Sequence, residues 1–231
     1  KAKYALGSVL GHVLLHQTIN GNEAIQQMEQ AGDYPDIIVG CTGGGSNLAG
    51  LMFPFLGQQL RGGQKIDIIG CEPLSCPSFT KGKYAYDHGD MARMTPLIKM
   101  HTLGSDFLPP ANHSGGLRYH GMSYHLSHLY DLGLMRAKAY GQKDCFEAGV
   151  IFGKEEGIIP APEGNHAVKG AIDAALECKA KCESKTILFN LCGHGHFDMT
   201  AYDDYFNGRL ADDFYDEETA NQSLSKLPEI G

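Results

Sequence analysis

The segment Gly40-Cys-Thr-Gly-Gly-Gly-Ser-Asn47 is where this chain could do chemistry on an anion. Three consecutive glycines allow close backbone approach to a ligand and positive φ. Ser46 and Asn47 are good helix N-cap types. A helix starting there aims unpaired N–H groups and the positive end of its dipole at one point, so a phosphate group is the natural occupant. The spacing excludes two commoner loops, because it has neither the Gly-Lys-Ser/Thr of a nucleoside triphosphate site nor the G-x-G-x-x-G of a dinucleotide site. Ser46 and Asn47 could be caps alone in an ordinary Gly-rich turn; the adjoining glycines favour a ligand.

A second candidate group lies far along the chain. Glu163 follows Pro160-Ala-Pro162 at the start of a helical stretch, where a carboxylate is favourable to the dipole with or without a chemical role. The strand-like Thr186–Cys192 runs into a glycine-bearing turn, Gly193-His-Gly-His-Phe-Asp198, whose histidines are read as shaping the loop. His113, His120, His125 and His128 invite a metal reading, and 125 and 128 share a helix face. No Cys or carboxylate completes a zinc-like set at the usual spacing, so no metal site is assigned.

These residues need elements to hold them. Val9, Leu10, Val13, Leu14, Ile19, Ile25 and Met28 give a helical rhythm over 8–30, broken by Gly32-Asp-Tyr-Pro35. A buried strand at 36–40, a helix at 47–60 and a strand at 66–71 make a βαβ unit with a right-handed crossover. Residues 74–125 read as irregular and too long for an idle connection. Helices are expected near 121–131, 142–156 and 164–182, with an extended piece at 136–140 and a last short helix after 198. In an open parallel sheet ligands sit at the carboxyl ends of strands, so the loops after 36–40 and 186–192 should line one crevice.

Composition bounds the partners. With 231 residues, 42% of them hydrophobic and 20% charged, the chain can bury a substantial core. A net charge of −8 argues against nucleic acid. No apolar run approaches the roughly 20 residues of a membrane span, and the opening residues do not read as a signal peptide. Seven cysteines without a C-x-x-C pair read as reduced thiols of a cytoplasmic protein. The chain opens in what looks like the middle of a segment, with neither Met nor a leader, and is expected to be a fragment.

Taken in order, Tyr4-Ala-Leu-Gly-Ser8, the Gly40–Asn47 loop, Cys71-Glu-Pro73, His113-Ser-Gly-Gly-Leu-Arg-Tyr-His-Gly121, Glu156-Gly-Ile-Ile-Pro-Ala-Pro-Glu-Gly-Asn-His-Ala167 and Leu191-Cys-Gly-His-Gly-His-Phe-Asp198 resemble the β subunit of tryptophan synthase, in its second, divergent type. The resemblance covers residues from about 4 to 210. It implies a pyridoxal 5′-phosphate enzyme of fold type II, an α/β protein with a parallel-sheet three-layer core, here incomplete. Residues 1–210 would be its C-terminal cofactor-binding portion and 211–231 an acidic tail, peripheral or disordered.

Such enzymes replace the β-hydroxyl of L-serine by indole. By the resemblance, Gly43, Gly44, Gly45, Ser46 and Asn47 cradle the cofactor phosphate, Ser8 and Cys41 pack near the cofactor, and Gly116 lies close to its ring. Glu163 would stand beside the pyridine ring, with Cys192 and Gly193 at the pyridine nitrogen; Glu163 and Cys192 are the catalytic candidates. Cys192 replaces the family's usual serine, and a thiol is the weaker donor. Arg118 stands where better-known β subunits carry aspartate. Leu117 and Tyr119 lie in the loop matching the family's monovalent-cation site.

The family's cofactor lysine, in a Gly-Ser-His-Lys-x-Asn motif, has no counterpart among the 231 residues. The expected partners are therefore a missing N-terminal half or complementary chain carrying that lysine, and a second copy in a homodimer when complete. Alone, the chain should not make tryptophan. The alternatives are a non-catalytic paralogue that kept the cradle, or another fold type II enzyme such as a threonine or cysteine synthase.

Overall fold

The computed structural model describes residues 3, 5–212 and 214–229. Tyr4, which opens the first resemblance segment, and Asp213 of the acidic tail lie outside the described residues. The first half runs α1 (Gly11–Ala31), β1 (Ile37–Cys41), α2 (Ser46–Leu60) and β2 (Asp67–Pro73). A hairpin, β3 (Lys83–His88) and β4 (Leu97–Thr102), precedes α3 (Tyr124–Asp131) and β5 (Arg136–Tyr140). The chain then forms α4 (Gln142–Glu156), α5 (Pro162–Ala180), β6 (Ile187–Phe189), α6 (Met199–Phe206) and α7 (Glu217–Leu224).

Four parallel strands lie in the order β5-β2-β1-β6, with β1 central and wholly buried. The pleat sends alternate side chains to opposite faces. Ile38 and Ile68 enter the core beneath α1, α2 and α3, with Leu188 packed against it. Ile37, Val39, Ile69 and Cys71 enter a second core with Ala174 and Cys178 of α5, joined by Ile187 and Phe189. This is the expected three-layer α/β arrangement. The chain moves from β1 outward through β2 to β5, then returns to the other side of β1 as β6. The strand order therefore reverses between β1 and β6, where such sheets open a crevice at the strands' carboxyl ends.

The two helices flanking the crevice cross closely. A Cβ at Gly21 of α1 would stand 2.4 Å from the Leu51 carbonyl oxygen, and one at Gly50 of α2 would stand 2.6 Å from that of Gln17. Glycine at both positions lets α1 lie against α2, which brings Gln17 and Asn20 to the crevice.

Two expectations change. Residues 74–125 are not irregular throughout: β3 and β4 pair antiparallel from Lys83↔Thr102 to His88↔Leu97. Tyr84 and Tyr86 alternate as a strand should, but the small Ala85 between them, polar Lys83, Asp87 and His88 around them and an eight-residue connection, 89–96, hide the hairpin signal. Asp90 holds that connection by accepting from the amides of Met94 and Thr95. In the acidic segment 211–231, α7 is capped by Asp216 and buries Ala220 beside Leu103 and Phe107, so local capping and a small apolar contact give order where the sequence pattern suggested little.

Candidate functional site

A cavity of about 550 Å³ opens at the β1/β6 switch point. Its lining brings together Ser8, Cys41, Gly43, Gly44, Gly45, Ser46, Asn47, Gly116, Glu163 and Cys192, which lie up to 184 positions apart. Gly193 is absent from the lining; it turns the chain at φ 68°, and its carbonyl accepts from the Ala161 amide. Sequence reasoning missed Gln17, Asn20, Asn190 and Leu191 and named Leu117 only for the cation loop; all five also line the cavity. Gln17 and Asn20 sit i, i+3 on α1 and Asn190 directly follows β6, so their placement depends on helix crossing and strand order rather than on any local motif.

One end of the cavity is made of main chain. α2 begins at Ser46 with no side-chain cap and no acidic residue in its first turn. Among the described residues no acceptor meets the amides of Ser46, Asn47 and Leu48, so the positive end of the helix dipole and unpaired donors stand at the cavity. The glycines answer to the protein as much as to a ligand. A Cβ at Gly43 would lie 2.6 Å from the Gly116 carbonyl oxygen, and one at Gly44 would lie 2.4 Å from the Ser8 hydroxyl. Gly45, with φ 104°, makes the left-handed step into α2. Three segments thus converge on bare backbone.

The other end is made of side chains. Glu163, in the first turn of α5, accepts from the Gly116 amide at 2.8 Å and so ties the 115–117 turn to the helix. A Cβ at Gly164 would stand 2.9 Å from the Cys192 carbonyl oxygen, which fixes the start of α5 against the turn after β6. The Cys41 and Cys192 sulfurs are 3.5 Å apart. Their hydrogen bond holds Cys192 below the ordinary thiol range and, with burial, pushes Cys41 well above it. Asn47 donates to the Cys41 sulfur at 2.9 Å, and Asn190 donates to the Asn47 side chain. One polar chain thus runs from the second position of α2 to the sulfur pair.

His166 is buried behind Glu163. Its Nδ1 meets the Pro162 carbonyl at 3.0 Å, its Nε2 has no partner, and burial lowers its pKa to about 4. His194 and His196 stay in the turn, where the His196 amide donates to the His194 ring at 3.3 Å. Arg118 donates to the Pro109 carbonyl. Among the described residues no group of three or more His, Cys, Asp or Glu could hold a metal ion, and no helix is long and apolar enough to cross a membrane. A larger groove of about 720 Å³ between α2, α3 and the hairpin is lined mainly by apolar and aromatic side chains such as Phe53, Leu56, Tyr84 and Leu129. It lacks the convergent amides of the switch-point cavity. Among the described residues no lysine or arginine lines the switch-point cavity.

Comparison with known proteins places the chain in a family and a fold. The sequence pattern of the family described as "Pyridoxal-phosphate dependent enzyme" matches residues 12–193. The "Tryptophan synthase beta chain 2" of Aquifex aeolicus is 58% identical over 213 residues, covering 91% of this chain and 49% of that protein. The "Tryptophan synthase beta chain" of Pyrococcus horikoshii is 50% identical over 228 residues, covering 99% of this chain and 49% of that protein. The chain spans about half the length of the curated relatives it matches. The crystal structure of a fungal L-serine ammonia-lyase from Rhizomucor miehei superimposes with a TM-score of 0.62 at 14% identity, over 87% of this chain and 58% of that one. At that identity the likeness speaks for the fold alone.

Proposed function

This chain belongs to the family of pyridoxal-phosphate dependent enzymes, and on that premise we propose that the switch-point cavity seats the cofactor for a β-replacement joining L-serine to indole. The single observation that carries the reading is the uncapped start of α2, whose amides face a cavity shared with Glu163 and Cys192. The donor set suits the group: among the described residues, backbone N–H and neutral side chains at the glycine end, a carboxylate and thiols at the other. When bound, pyridoxal phosphate supplies an electron sink for bond breaking at an amino acid.

The chain's own residues then divide the work. The amides of 43–47, with the Ser46 side chain, hold the phosphate, while the Asn47 side chain links the cradle to Cys41. Gly116 and Ser8 bound the sides of the cavity, and Cys41 packs at its floor. Glu163 fixes the 115–117 turn through the Gly116 amide and keeps negative charge near the ring. Cys192 offers sulfur toward the ring nitrogen, with Gly193 turning the chain behind it. The cofactor lysine is assigned to the part of the longer protein beyond this half, whether in one polypeptide or a complementary chain. We also assign assembly as a homodimer to that whole protein, and a cytoplasmic setting suits its free thiols.

The test is binding. Pyridoxal phosphate should titrate into the chain by calorimetry, be displaced by inorganic phosphate, and fail to bind Gly44→Asp, which adds bulk and a negative charge at the cradle. Urea unfolding of both proteins establishes that the variant is folded. A folded Gly44→Asp chain with undiminished affinity refutes the seat.

A further inference from the structure

Of seven cysteines, two face each other. Cys41 ends β1 and Cys192 follows β6, the neighbouring parallel strand, with Val39 opposite Phe189 and the Asn190 amide bonded to the Val39 carbonyl. The Cys41 and Cys192 sulfurs are 3.5 Å apart, and both residues line the cavity. Cys71, Cys76, Cys145 and Cys178 are buried, and Cys182 is exposed. We infer that Cys41 and Cys192 form an oxidisable dithiol, which hydrogen peroxide converts to a disulfide that shuts the thiol end of the cavity to its ligand.

The geometry supplies the roles. A disulfide needs sulfurs about 2 Å apart, so the gap of 3.5 Å closes by about 1.5 Å through side-chain rotation. Cys192 is half-buried and open to the cavity, whereas Cys41 lies at its floor. The hydrogen bond from Cys41 favours the Cys192 thiolate, making Cys192 the attacking sulfur and Cys41 the resolving one.

The Cys192 thiolate attacks one peroxide oxygen, the O–O bond breaks, and Cys192 becomes a sulfenic acid as hydroxide leaves and is protonated to water. The Cys41 sulfur then attacks the Cys192 sulfur and displaces its hydroxyl, which leaves as a second water with the Cys41 proton. Two thiols and one peroxide become one disulfide and two waters; the sulfur pair gives up two electrons and the peroxide accepts them.

Oxidation removes both S–H groups from this end of the cavity and draws Cys192 toward β1. The disulfide itself does not depend on the cofactor reading; the loss of ligand binding does.

The test uses the full chain carrying Cys182→Ser, which removes the exposed thiol. One of the seven cysteines being replaced, six thiols remain, and peroxide should leave four under denaturing conditions. Mass spectrometry should find one peptide containing Cys41 joined to one containing Cys192, with a deficit of two hydrogens that dithiothreitol reverses. Pyridoxal phosphate affinity should fall about tenfold or more on oxidation and return on reduction, and Cys192→Ser should show no such fall.

Thiol loss without the Cys41–Cys192 link overturns the dithiol, as does an equal loss of affinity in Cys192→Ser. A link in a chain whose reduced form binds no pyridoxal phosphate leaves the dithiol standing and refutes the proposed seat.

Discussion

The two ends of the cavity are built by opposite means. The glycine end takes its chemistry from main-chain amides, within one short stretch of sequence, and holds its shape because neighbouring backbone leaves no space for a Cβ. The thiol end takes its chemistry from Glu163, Cys41 and Cys192, delivered by α5, β1 and the turn after β6. Amides do not titrate and cannot be oxidised, so the first end should be indifferent to pH and sensitive to volume. The second should tolerate conservative changes in shape and respond to protons and oxidants.

Acid should separate the two ends most strongly. Buried His166 has a folded-state pKa lowered to about 4, against about 6.5 unfolded. The unfolded chain therefore binds the extra proton first. Stability from this group is present above pH 6.5 and is lost as pH falls toward 4, by up to about 3 kcal/mol. Urea unfolding across that window should show the loss, and His166→Leu should flatten it. An unchanged slope in His166→Leu would remove the titrating contrast between the ends.

Gly43→Ala tests the other half of the comparison. Its Cβ meets the Gly116 carbonyl oxygen at 2.6 Å and the Leu117 Cα at 2.9 Å, both backbone. Overpacking of this kind costs roughly 2 kcal/mol, visible as a melting point lower by several degrees and unaltered by pH. A neutral Gly43→Ala would mean that the 115–117 turn yields easily and that the cradle is not rigid.

The smallest effect sharpens the thiol end. Glu163→Gln keeps an acceptor for the Gly116 amide but removes a negative charge that raises the Cys192 pKa. The midpoint of Cys192 alkylation against pH should move downward by less than about one unit, with little change in stability. An upward shift would show that Glu163 acts on the thiol through structure rather than charge.

How much of this was legible in the sequence followed from the range of the interactions involved. β1, α2, β5, α4 and α5 stand almost where periodicity and breakers put them, because apolar spacing, Pro162 at the start of α5 and the glycines act within a few residues. The hairpin 83–102 was not legible, since its strands are defined by each other's hydrogen bonds and not by a local apolar pattern. β6 keeps only Ile187–Phe189 of the expected 186–192: the Asn190 amide still bonds the Val39 carbonyl, its side chain reaches Asn47, and the chain then leaves β1 for the turn at Gly193. Gln17, Asn20 and Asn190 gave no signal at all, for they join the cavity only through the close crossing of α1 and α2 and the return of β6 beside β1.

The sequence by itself determined the parallel α/β unit and the glycine-rich strand-to-helix turn at 43–47, because apolar periodicity and glycine conformational freedom are properties of neighbouring residues. Only the tertiary structure decided that Cys41 and Cys192 meet at 3.5 Å and that Glu163 grips the Gly116 amide. Those contacts join residues from separate strands and helices, and no local preference specifies the strand order or helix crossing that brings them together.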